Sequence, residues 1–156
     1  MNDNFDVLKE LLENEIRLLD KAEVHLQHTF RKCQKIALGH ETTEDELELL
    51  DSLCSRFVRY YEVYVKNVIR TVLQIMRSHQ DTFIDNMNKA EKIGPIDSMK
   101  IMDYSRTLRI TVAHEYQEEE WIDIFKSVLE IVPLLISSKS TSIEYIHRKI
   151  LVELKQ

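Results

Sequence analysis

The sequence predicts an all-α protein, a bundle of five to six helices, and three observations carry that prediction. Only 2 Gly and 2 Pro occur in 156 residues, far below ordinary usage, so turns are few and elements long. Leu, Ile, Glu, Lys and Arg dominate, and these residues favour helix over sheet. Apolar positions recur at helical rather than strand spacing. A chain of this length forms one domain, residues 1–156, and can bury about two thirds of its unfolded surface.

The first helix is predicted from about Asn4 to Leu38. Leu8, Leu11, Leu12, Leu18, Leu19 and Ala22 make its apolar stripe, broken only by Glu15, and Gly39 supplies the stop. "ETTEDELELL" restarts the helix, because Thr43 with Glu46 three residues on fits a capping box and acids fill the first turn. The second and longest helix is predicted from about Glu44 to Ser78. Leu50, Leu53, Phe57, Tyr60, Tyr61, Tyr64, Val68, Val72 and Ile75 form its apolar face. Arg56, Arg59, Lys66, Arg70 and Arg77 fall within about 80° of one another on the opposite side.

A shorter helix is predicted from about Asp81 to Glu91, closed by the Gly94-Pro95 turn. The next runs from about Asp97 to Ala113. A fifth starts among Glu118, Glu119 and Glu120 and carries Trp121, Ile124, Phe125, Val128, Leu129 and Val132. "SSKST" reads as a loop with a capping hydroxyl, and Ile143 to Lys155 as a last helix. No repeat or linker divides the chain, so the elements build one bundle.

Composition excludes several classes of function. Cys33 and Cys54 form no CxxC and no metal spacing, so both read as reduced, buried thiols. "MNDNFDVLKE" has no basic and no apolar export region, and no apolar run reaches the ~18–20 residues of a membrane span. The expectation is a cytoplasmic protein that meets no membrane. Two glycines leave no phosphate-binding loop, and no GxSxG context exists. His25, His28 and Cys33 lie on one helix, where three metal ligands rarely converge. Glu144 and His147 make one ExxH, whereas a di-iron bundle needs two. No metal and no cofactor are expected.

Net charge is −6, yet residues 51–110 carry 10 basic against 7 acidic side chains. Local field matters more to a polyanion than the total does. Arg59, Lys66 and Arg70 therefore read either as a solvated helix face or as a contact for RNA phosphates or an acidic partner.

One constellation remains, in "RITVAHEY". On an ideal helix Arg109 and Tyr116 share a face, while His114 points about 140° away from Arg109. The three meet only if the helix ends near Ala113, or if a two-fold axis brings two chains together. Arginine can hold a phosphate bidentately and offset charge that grows on it. Histidine can take or give the proton. RNA carries its own nucleophile, the 2′-OH, so the trio suits phosphodiester cleavage without a metal. A polar helix end of no catalytic role has the same composition.

"LRITVAHEY" resembles the RX4HXY signature of HEPN domains, in particular the HepT-like ribonuclease toxins paired with MntA-like minimal nucleotidyltransferases. "LLDKAEVHLQHTFRKCQKI" and "LLDSLCSRFVRYYEVYVKNVIRTV" resemble that family's first and second helices. "NKAEKIGPIDSMKIMDYSRTLRITVAHEY" resembles its run from the short helix into the motif. The resemblance spans roughly residues 15–120. It implies an HEPN-like symmetric homodimer with facing motifs and a metal-independent endoribonuclease, the toxin of a toxin–antitoxin pair. Carried onto this chain, Arg109 and His114 are the catalytic pair. Tyr116 positions RNA and is the site to which a nucleotidyltransferase antitoxin transfers AMP. The family's arginine is usually followed by a polar residue; here Ile110 follows, which predicts slower cleavage or a different choice of RNA. The alternative is a non-catalytic helical module that pairs with a nucleotidyltransferase.

Overall fold

The computed structural model describes residues 3–39, 41–114 and 118–152, and every regular element among them is helical. The elements are α1 (Asp3–Cys33), α2 (Glu44–Tyr61), a π-helical segment π1 (Glu62–Ile69), α3 (Arg70–Ile75), α4 (Phe83–Ile93), α5 (Met99–Ala113), α6 (Glu118–Ile146) and a second π-helical segment π2 (His147–Leu151). They pack as one bundle, with α1 along the rod of α2, π1 and α3, and α5 against α2 and α6. No helix among the described residues is long and apolar enough to cross a membrane.

Helix α1 buries Leu12, Glu15, Leu19, Ala22, Leu26, Thr29 and Cys33, an unbroken alternation of three- and four-residue steps that keeps one seam on the bundle. It stops at Cys33, five residues short of the predicted Leu38. Lys35 and Ile36 turn back to the carbonyls of Lys32 and Cys33 at 3.3 and 3.1 Å, the tighter bonding that often closes a helix. The Cys33 thiol donates to the Leu49 carbonyl at 3.4 Å, which anchors this end to α2.

Helix α2 starts where the sequence places it. Glu46 N–H donates to Thr43 Oγ1 at 3.2 Å, and Thr43 N–H donates back to Glu46 Oε2 at 3.0 Å. Beyond Tyr61 the expected continuous α-helix gives way to π1. The reason lies in the buried pairs Tyr60/Tyr61, Tyr64/Val65, Val68/Ile69 and Val72/Leu73, which recur every four residues. On a 3.6-residue turn a four-residue repeat drifts by 40° a step, about 120° from Tyr60 to Val72. The wider i→i+5 turn keeps all four pairs on the core. The rod ends at Ile75, short of the predicted Ser78. Arg77 takes a left-handed φ of 52°. Its N–H reaches Gln74 O at 3.0 Å and Ser78 N–H reaches Leu73 O at 2.8 Å, the bonding of a Schellman stop.

Thr82 caps α4 through Asp85 N–H at 3.1 Å, and Gly94 closes it with φ 114°. A side chain there would meet the Tyr145 ring at 3.4 Å. Glu91 accepts from the first amide of α5, Met99 N–H, at 2.6 Å.

Two predicted elements, the "SSKST" loop and a separate helix from Ile143 to Lys155, are corrected: α6 runs unbroken to Ile146 and passes into π2. Residues 153–156 lie outside the described residues. Local polarity predicted the loop; tertiary partners cancel it. Tyr64 Oη lies 3.3 Å from Ser138 Oγ and 2.6 Å from Ser142 Oγ, and Ser142 donates to Pro95 O at 2.6 Å. Thr141 donates to Asp97 at 2.7 Å. Lys139 donates to Asp20 at 2.6 Å and also to Glu23. Burial alone would lower the Lys139 pKa, but these two carboxylates raise it. Pro133 lies inside α6 on an exposed position, where the lost backbone bond faces water.

Cys33 and Cys54 are free and buried. Burial pushes their thiols up to about 11 and about 12, so both stay protonated and unreactive near neutrality.

Candidate functional site

The sequence motif begins in the last turns of α5, which packs on α2. Arg109 reaches across that packing. Its Nη2 donates to Glu62 Oε1 at 2.6 Å, with the two side chains 32% and 41% exposed. Arg109 Nε is buried and takes no partner among the described residues. Nη2 of the guanidinium is thus held by a carboxylate.

Glu62 was not legible as a site residue, because it reads as one more charge on a long helix. It is the first residue of π1, and π-helical turns occur disproportionately at functional positions. The four-residue spacing of the tyrosines and valines beside it is the sequence signal that could have exposed it. Tyr61, its neighbour, is also drawn into the site. Burial pushes the Tyr61 phenol up to about 12; Arg106 and Arg109 pull it down, and Glu62 and Asp103 push it up. Tyr61, Glu62, Asp103, Arg106 and Arg109 therefore form one charged cluster between α2 and α5. Arg106 also lies over the Phe83 ring, 4.8 Å from its centroid.

His114 is where α5 stops. Its backbone is extended, φ −89° and ψ 150°, and its N–H turns back to Thr111 O at 3.2 Å. An unbroken helix would hold the imidazole about 140° from Arg109; the break at Ala113 removes that constraint. His114 is exposed. The direct partner of Arg109 is Glu62, not His114. Tyr116 lies outside the described residues. Ile110 is 39% exposed, so an apolar side chain stands on the surface between the arginine and the histidine.

The basic stripe is less uniform than its spacing implies. Arg59, Lys66 and Arg70 are all exposed. Arg56 is fastened to α1, donating to His25 O at 3.0 Å and to Thr29 Oγ1. Arg70 acts on Glu15 of α1, whose pKa burial raises while Thr71 and Arg70 lower it. The wide turns of π1 separate Arg59 from Arg70, so the 100° rule that aligned them does not hold across this segment.

What the cluster can do follows from its parts. A half-exposed arginine with one edge held by a carboxylate can orient an oxyanion. A solvent-facing imidazole at a helix end can donate or accept a hydrogen bond. No family model, no curated protein and no solved structure matches this chain.

Proposed function

We propose that this protein is an HEPN-type endoribonuclease, the toxin of a toxin–antitoxin pair, acting in the cytoplasm as a symmetric homodimer. The observation that supports it best is the end of α5 at Ala113. Within one chain the arginine and histidine of the Arg-x4-His-x-Tyr motif converge only if the helix breaks between them, and α5 stops there. Arg109 holds the scissile phosphate and offsets charge on its oxygens. His114 takes the proton from the 2′-OH as that oxygen attacks phosphorus. The new O2′–P bond forms and the P–O5′ bond breaks, leaving a 2′,3′-cyclic phosphate; the 5′ oxygen takes a proton from water, and the protonated His114 returns its own to solvent. No metal or cofactor takes part. In the dimer the two motifs face each other across the axis.

The antitoxin in this reading is an MntA-like nucleotidyltransferase that transfers AMP from ATP to Tyr116. An adenylate there adds negative charge next to Arg109 and blocks the RNA phosphate. Arg59, Lys66 and Arg70 contact the RNA or the antitoxin.

A second reading keeps the chain as a non-catalytic module bound to a nucleotidyltransferase. Glu62 favours it, since a carboxylate already occupies the arginine. RNA cleavage by wild type, Arg109→Ala and His114→Ala separates the two. Both variants should stay folded and lose cleavage, and chelators should change nothing. A folded His114→Ala protein that still cuts RNA would overturn the ribonuclease reading. Intact-mass analysis with the partner and ATP should show AMP adducts on wild type and none on Tyr116→Phe.

A further inference from the structure

On its other flank, facing α6, α5 carries a hollow of about 230 Å³ lined by Tyr104, Thr107, Leu108, Thr111, Asp123, Ile124 and Ser127. This is smaller than the ~300–1,000 Å³ of a pocket for a drug-sized ligand, and it suits one flat ring rather than a whole nucleotide. Its floor is apolar, from Leu108 and Ile124. Its wall is Tyr104, an aromatic side chain left 45% exposed and therefore open to stacking.

Most of the polar rim accepts hydrogen bonds, and Ser127 adds a hydroxyl that can also donate. Thr107 Oγ1 donates its proton to Asp103 O at 3.1 Å, and Thr111 Oγ1 donates to Thr107 O at 3.0 Å. Both hydroxyls have spent their single donor on the helix and present only lone pairs to the hollow. Asp123 is exposed, takes no hydrogen bond or ion pair from the described residues, and as a carboxylate only accepts. The rim around Asp123 receives donors, and the Ser127 hydroxyl can meet an acceptor beside them, such as the guanine O6 carbonyl.

We infer that this hollow is a nucleobase subsite selective for guanine, resting on the ribonuclease reading above. Guanine offers two adjacent donors, N1–H and the N2 amino group, and one carboxylate can accept both. Adenine and cytosine offer a single amino group flanked by an acceptor. Uracil sets two carbonyl oxygens beside the rim and gives one N–H. Single-stranded RNA is read in this way, by a base stacked on an aromatic ring and bonded through its Watson–Crick edge. Position fits as well. Tyr104, Thr107, Leu108 and Thr111 follow the i, i+3, i+4, i+7 ridge of α5, and that ridge runs into His114 about 10 Å beyond Thr107. A base held here sits beside the end of α5 where His114 stands.

The test measures binding, not cleavage. Short single-stranded RNAs differing at one position, G, A, C or U, are titrated against the full-length His114→Ala protein by fluorescence anisotropy. Guanine should bind at least tenfold tighter than uracil, the scale of a charge-assisted pair. Asp123→Asn should remove that preference while leaving uracil affinity unchanged. Tyr104→Ala should weaken every base by about fivefold or more, and Tyr104→Phe should not, because stacking needs the ring alone. Equal affinity for G and U, or an unchanged preference in Asp123→Asn, would overturn the subsite. Failure of the ribonuclease reading would show separately, as no cleavage of the same RNAs by wild type or as persistent cleavage by His114→Ala.

Discussion

Replacing Glu62 with Gln tests whether the carboxylate that holds Arg109 also competes for it. The substitution keeps shape and one acceptor oxygen but removes the charge facing the guanidinium at 2.6 Å. Two unit charges 4 Å apart attract by about 4 kcal/mol at an effective dielectric of 20, and by about 1 kcal/mol in water. At 32% and 41% exposure the pair lies near the watery limit, where measured ion pairs contribute about 0.2–1 kcal/mol. An RNA phosphate that must displace Glu62 therefore regains up to ~1 kcal/mol in Glu62→Gln, about fivefold in affinity. The protein should lose no more than that in stability. The gain should shrink between 50 mM and 500 mM salt, since screening already weakens the competing carboxylate. RNA anisotropy in the His114→Ala background, at both salt concentrations, measures it. Weaker binding by a fully folded Glu62→Gln protein would refute the competition. Glu62 would then serve to hold the guanidinium in the orientation that phosphate needs.

Two further outcomes concern the core. Tyr60 is fully buried with a hydroxyl that has no partner among the described residues, whereas Tyr64 is bonded to Ser138 and Ser142. Tyr60→Phe should raise the free energy of urea unfolding by about 1 kcal/mol or more, and Tyr64→Phe should lower it by about 1–2 kcal/mol; changes of the same sign would contradict both assignments. Burial raises the Glu15 pKa against the lowering effects of Thr71 and Arg70. A raised carboxyl contributes stability that is present below its unfolded pKa and lost as pH rises through the folded one. Glu15→Gln should therefore be more stable than wild type at pH 7, with the difference fading towards pH 4; a difference independent of pH would count against it.

Much of the fold was legible because it rests on local chemistry. Thr43 and Glu46 announce the start of α2, Gly94 announces the end of α4, and the apolar spacing gives the helices between. What could not be read depended on distant partners. Ser137 to Thr141 look like a loop until Tyr64, Pro95, Asp97, Asp20 and Glu23 are seen to satisfy this segment and the turn that follows it. At the candidate site the sequence pointed to Arg109 and His114 and offered a helix end near Ala113 or a two-fold axis as the way to bring them together; α5 does end at Ala113. Glu62 stayed hidden because it lies 47 residues from Arg109 and no local pattern joins them.

The π-helical stretch from Glu62 to Ile69 also gives the long rod a parity. A turn closed by i→i+5 bonds holds one more residue than an α-helical turn, as though a residue had been inserted without lengthening the bundle. Straightening this stretch into ordinary helix with every residue kept would turn everything on one side of it by about 100°. Either Tyr64 would swing away from Ser142, or Glu62 would swing away from Arg109. The core and the charged cluster are thus set together by the wide turns of one segment, and a chain with the same residues in ordinary helix could keep its hydrophobic interior only by releasing its arginine.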